Sequence, residues 1–201
     1  MRSTGQLGRL LAFVSFVPLA FSAILFAQGC GLLTNAPVTG CVANFSGPEV
    51  LGEEVSLTDN VTELAESFTV ATAGAPGNIQ LKLKAIGTPT GNLYLKIEAD
   101  ASGQPSKVVI ETTSLNTATI AAAPAADAYY NFVYTTPQTL AAGKYWMILY
   151  GNSNFTSTLG VDWMATNVTG AYSGTLSLST NDTTWTSSAV ANRATLFLMG
   201  C

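Results

Sequence analysis

The side chains able to do chemistry in this chain are few, and what is missing defines the set first. Among 201 residues there is no histidine, so Ser–His–Asp and Cys–His nucleophiles and histidine-held zinc or haem cannot be assembled. The three cysteines, Cys30, Cys41 and Cys201, are too few and too far apart for a thiolate cluster. No glycine-rich loop opens a helix to cradle a phosphate. Carboxylates remain, and a pair of them is the equipment of a glycosidase. Glu98 and Asp100, two positions apart, would share one face of a strand. Glu53, Glu54, Asp127, Asp162 and Asp182 are the other candidates, and surface acids of this kind ordinarily just sit in water. Asp100-Ala-Ser-Gly-Gln104 and Asn181-Asp182 offer oxygen ligands to calcium, but without the alternating acids of a dedicated loop. Asx-turn chemistry explains both stretches. No catalytic residue, metal or cofactor is assigned.

Aromatic side chains in the loop-rich second half are the remaining lead. Exposed Trp and Tyr can stack on sugar rings while amides and hydroxyls supply hydrogen bonds. Tyr129, Trp163, Tyr172 and Trp185 are the candidates: Tyr129 should point outward, opposite Tyr130, Phe132 and Tyr134. Trp163 ends a strand, Tyr172 begins one, and Trp185 sits in a turn. For each of them the competing role is packing at the rim with a polar tip in water.

These groups must be positioned by something, and the chain begins with an address rather than a fold. Arg2 and Arg9 precede an apolar run, Leu10 to Ala27, and small residues at Ala27 and Gly29 stand just before Cys30. That order reads as a secretory signal over residues 1–29. The cysteine just past the cut resembles the lipobox of bacterial lipoproteins, which implies lipid attachment at Cys30 and anchorage in a membrane. Plain secretion and an uncleaved apolar anchor are the alternatives. All three place the body outside the cytoplasm, in the cell envelope or beyond it. If Cys30 is acylated, Cys41 and Cys201 remain as a disulfide pair in an oxidising compartment. Cys30 with Cys41, or a free Cys201, are the other possibilities.

After the leader six basic residues face twelve acids, a net charge near −6. Such a balance argues against nucleic acid as a partner. Charged residues are sparse, and Thr, Ser, Ala, Asn and Gly are abundant, which favours strands and turns over long helices. Residues 30–48 read as a tether and 49–201 as one β-domain. Ile79, Leu81 and Leu83 alternate with Gln80, Lys82 and Lys84, and Leu93, Leu95 and Ile97 repeat the pattern, so each is a half-buried strand. A shorter strand is expected over Lys107–Thr112, and at most a helical turn within 118–126, where Pro124 intervenes. Lys144 to Tyr150 is apolar on both faces, as in a central strand covered on each side, so alternation alone gives Trp146 no face. The whole predicts an all-β, two-sheet antiparallel sandwich with jelly-roll-like topology.

The order of motifs also resembles a family of bacterial surface domains. Glu66-Ser-Phe-Thr-Val70 is followed by Leu81-Lys-Leu-Lys84 and Gly87-Thr-Pro-Thr-Gly-Asn-Leu93. Gly103-Gln-Pro-Ser106, Pro137-Gln-Thr-Leu-Ala-Ala-Gly-Lys-Tyr-Trp146 and Tyr172 with Asn181-Asp-Thr-Thr-Trp185 come next. Over roughly residues 60–200 the chain is similar to the "choice-of-anchor" β-sandwich domains, themselves akin to jelly-roll carbohydrate-binding modules. The resemblance implies a non-catalytic surface domain whose ligand is a polysaccharide or cell-surface glycan. A structural envelope domain that packs against another protein is the alternative.

Overall fold

The computed structural model describes residues 44–45, 54–122, 127–151, 155–169, 172, 174–189 and 193–200. The leader, Cys30, Cys41 and Cys201 lie outside the described residues, and with them the expected lipid attachment and disulfide. The strands in chain order are β1 (Asn44–Phe45), β2 (Val55–Leu57), β3 (Glu63–Val70), β4 (Asn78–Ile86), β5 (Asn92–Ala101), β6 (Gln104–Asn116) and β7 (Ala128–Val133). They continue as β8 (Gly143–Gly151), β9 (Gly160–Trp163), β10 (Ala165–Thr166), β11 (Leu176–Ser179), β12 (Thr186–Ser187), β13 (Ala194–Thr195) and β14 (Phe197–Gly200).

One sheet runs β1-β14-β4-β9-β2, and β7 lies along the other flank of β4. The second runs β12-β11-β3-β8-β5-β6, and β10 and β13 pair on their own. Every strand pair is antiparallel. Because successive strands alternate between sheets, from β3 to β4 to β5 and again from β7 to β8 to β9, the result is the jelly-roll-like sandwich expected.

The period-two pattern decides which face of each strand is inside. Ile79, Leu81 and Leu83 of β4 and Leu93, Leu95 and Ile97 of β5 are fully buried between the sheets. Phe68, Met147 and Leu149 meet Phe132, Val161, Phe197 and Met199 in the same core. Each such side chain contributes roughly 1.5–3 kcal/mol by leaving water, so slipping one strand by a residue would forfeit several such terms at once.

Some elements differ from expectation. Asn44–Phe45, inside the stretch read as tether, pairs with β14. β6 extends well past Lys107–Thr112 at both ends because β5 offers a partner along nearly its whole length. As expected, the described part of 118–126 holds no more than a turn at its start, the 3-10 turn Thr117–Thr119, capped by Asn116, whose Oδ1 accepts from the Ala118 N–H at 2.9 Å. The β5–β6 hairpin closes on Ser102 and Gly103, both at positive φ (57° and 87°), which is the mirror-image turn that matches strand twist.

Candidate functional site

The outer face of the second sheet is where charge and aromatic rings converge. Strand β8 runs through its middle, and its outward residues Trp146 and Ile148 are as buried as its inward ones. Cover comes from the loop between β11 and β12, which folds back over the sheet and lays Trp185 against Ala65, Trp146 and Ile148. That loop is shaped by Asn181, whose Oδ1 accepts from the N–H groups of Thr183 (3.0 Å) and Thr184 (2.9 Å). It holds Asp182 at a left-handed φ of 54°.

Under this cover lies a buried ionic network. Lys96 of β5 reaches Asp182 Oδ1 at 2.9 Å, Glu98 Oε1 at 3.3 Å and Glu63 Oε1 at 3.6 Å. Burial works against the ammonium, yet its bond to Asp182 and the charges of Glu63 and Glu98 prevail and hold its pKa above the ordinary value. Three acids share one cation, and burial pushes the Glu63 carboxyl up to about 7 against the pull of Lys96. Glu98 Oε2 also accepts from the Lys107 N–H at 2.6 Å, tying the bulged start of β6 to the network. Beside it Tyr94 and Tyr150, a cross-strand pair, stack with centroids 5.2 Å apart and planes 20° apart. Lys96 stands 5.2 Å from the centre of the Tyr150 ring.

A second buried acid faces the other way. Glu66 of β3 points into the sandwich, where Oε2 accepts from the Thr195 N–H (2.9 Å) and hydroxyl (3.1 Å). Burial raises its carboxyl to about 8 against those two bonds.

The four aromatic candidates do not form one surface. Tyr129 on β7 points outward as expected and is 37% exposed. Trp163 is fully buried in the core, its indole N–H donating to the Leu196 carbonyl at 2.9 Å. Tyr172 packs edge-on against Phe197 and donates to the Ser67 carbonyl at 3.0 Å. Trp185 is buried over the opposite sheet from Tyr129. Trp163 and Trp185 are buried by protein, so the expectation of exposure is corrected for these two, while Tyr172 is partly buried against the core.

Of the acids named from sequence, Glu98 and Asp182 meet on Lys96, and the other described ones lie apart from them. Asp100 accepts from the Gly103 N–H at 3.0 Å and the Trp146 indole N–H at 2.7 Å, with Lys144 nearby at 3.6 Å. Burial opposes ionisation there, but those bonds outweigh it and lower the pKa. Asp127 pairs with Lys82 at 2.7 Å, and Asp162 accepts from Ser56 at 2.6 Å. Glu53 lies outside the described residues. Sequence reasoning missed Lys96, Glu63, Tyr94 and Tyr150. Their signal was the two-faced apolar run of β8, which requires a covered outer face and so buries the polar positions beside it.

The class this geometry defines is an all-β antiparallel sandwich with a loop-covered, charge-bearing outer face. No protein-family model matches the chain, and no curated protein matches it.

Proposed function

We propose that the chain is a non-catalytic extracytoplasmic domain, anchored by lipid at Cys30, that acts by docking on another protein of the cell envelope. The resemblance to choice-of-anchor domains supports surface display. The observation that carries docking is the open edge of the second sheet. β6 is thirteen residues long and terminates the strand order among the described residues. Val108 and Val109 on it are 69% and 48% exposed. An unpaired edge of this length is a template for strand addition. Pro105 and the bulges opposite Ile97–Asp100 guard one end and leave Glu111–Asn116 regular. A photo-crosslinking residue at position 109 should capture a discrete envelope protein in intact cells, while one at position 129 should not. Val108→Lys with Val109→Lys should abolish the product. Equal capture from both positions, or none from 109, refutes docking at this edge.

A second reading, glycan binding, is favoured by the half-buried Tyr94–Tyr150 stack beside Lys96. It replaces Trp163, Tyr172 and Trp185 with a different pair of rings. A glycan array probed with the protein and with Tyr94→Ala/Tyr150→Ala decides it: retained binding in the double variant removes these residues from the reading.

A further inference from the structure

The sandwich is open on the side where edge strand β6 of one sheet comes beside edge strand β7 of the other. There the chain leaving β7, through Tyr134 to Gln138, crosses from one sheet towards the other. A cleft of about 210 Å³ lies between this segment and β6, lined by Ile110, Glu111, Tyr134, Thr136 and Gln138 among others. Its lining is mostly hydroxyl and amide groups around a single carboxylate.

Glu111 is on the inward face of β6, opposite Ile97, and is more than nine-tenths buried. Its Oε1 accepts from the Gln138 backbone N–H. Its Oε2 is buried without a hydrogen-bond partner. Burial raises the carboxyl to about 7, and no cation among the described residues opposes that rise. Several other acids do have a cation: Glu63 and Glu98 have Lys96, Asp127 has Lys82, and Asp100 has Lys144. Glu66, which like Glu111 lacks an ion pair at contact distance, is shut inside the core on Thr195, whereas Glu111 borders a cleft. The titratable neighbour of Glu111 is Tyr134, whose hydroxyl donates to the Leu95 carbonyl at 3.4 Å. Burial holds that phenol well above its ordinary pKa, so it stays neutral and supplies no compensating charge.

We propose that this cleft is a binding site for a primary ammonium group, with Glu111 Oε2 as its acceptor and counter-charge. A buried carboxylate lacking both a cation and its second set of hydrogen bonds gains most from a ligand that brings both. An ammonium does so with three donors on a compact head. The hydroxyl of Thr136 and the side-chain amide of Gln138 provide further acceptors, while Ile110 gives the alkyl stem an apolar wall. The ammonium can arrive on a free amine or on a lysine side chain. The site lies in the cleft between the two sheets, and it stands whether or not the edge docks a partner.

The test is a titration of the isotope-labelled full-length protein in detergent micelles, read by amide and carboxyl resonances. The probes are n-butylammonium, acetyl-lysine methylamide and the neutral control n-butanol. Saturable shifts confined to residues 110–112 and 134–138 are expected with butylammonium and not with butanol. If acetyl-lysine methylamide binds as well, the group can come from a protein; if it does not, the source is a small amine. Both results uphold the site. Binding should weaken about tenfold from pH 8 to pH 6, as the carboxylate takes its proton. Glu111→Gln should lose binding while keeping its melting transition, and Thr136→Trp, at an exposed position, should plug the cleft with Glu111 intact. Absence of saturable shifts at pH 8, equal binding by butanol, or undiminished binding by Glu111→Gln would overturn the proposal.

Discussion

Asn44 of β1 lies directly opposite Leu198 of β14, and Phe45 opposite Phe197. Cys41 and Cys201 are outside the described residues, and their disulfide is the expectation that follows from the cysteine count in an oxidising compartment. We expect the intact mass of the protein, purified without reductant, to rise by two hydrogens on reduction. Cys201→Ser should lower stability by up to about 4–5 kcal/mol, since the loop spans nearly the whole domain. Two free thiols in the unreduced protein would sink the pairing.

Stability should fall, not rise, between mildly acid and mildly alkaline pH. Glu66 is raised to about 8, and Glu63 and Glu111 to about 7, chiefly by burial. The unfolded chain loses these protons near pH 4.5, whereas the folded chain keeps them until pH 7–8. Each contribution is therefore complete below about pH 4.5 and is lost as pH climbs through the folded pKa. For one such group the slope is at most about 1.4 kcal/mol per pH unit. Urea midpoints should drop from pH 5 to pH 8. Glu66→Gln, which keeps an acceptor for Thr195, should flatten the curve and raise the midpoint at pH 8. A midpoint that increases over this range contradicts the assignment.

Much of the fold was legible because burial on one face imposes alternation. Ile79, Leu81 and Leu83 alternate with polar residues along the chain, and all three come out fully buried. The site was less legible for the same physical reason in reverse. Alternation marks Lys96 and Glu98 as outward, and outward ordinarily means wet. Only the β11–β12 loop, whose Asp182 lies 86 residues beyond Lys96 in the chain, turns that face into an interior. Trp163 and Trp185 misled because composition cannot tell a ring that closes a core from one that meets a ligand. Strand ends and turns hold both kinds.

The aromatic residues should therefore divide sharply when replaced. Trp163 fills the core and satisfies the Leu196 carbonyl, so Trp163→Ala should cost about 3–5 kcal/mol. Tyr129→Ala, on the outer side of β7, should stay within about 1 kcal/mol. Thermal melts of the two variants check this directly. Equal losses would mean that Trp163 does not occupy the centre of the sandwich.

Lys96 should be the most consequential charged residue. It is the cation shared by Glu63, Glu98 and Asp182, and its bond to Asp182 fastens the β11–β12 loop across the sheet. Lys96→Met keeps the stem volume and removes the charge, leaving two buried carboxyls without a counter-ion. Such a loss costs about 3–5 kcal/mol when one partner of a buried pair is removed. The penalty should shrink towards pH 5, because the orphaned acids then take up protons and stop repelling each other. Trp185 fluorescence should shift to the red in the variant at pH 8 as the loop loosens, and less so at pH 5. Trp146 and Trp163 also emit, so the comparison belongs in a background with Trp185→Phe as the blank. A pH-independent loss would assign Lys96 to packing alone, with the ionic network contributing nothing.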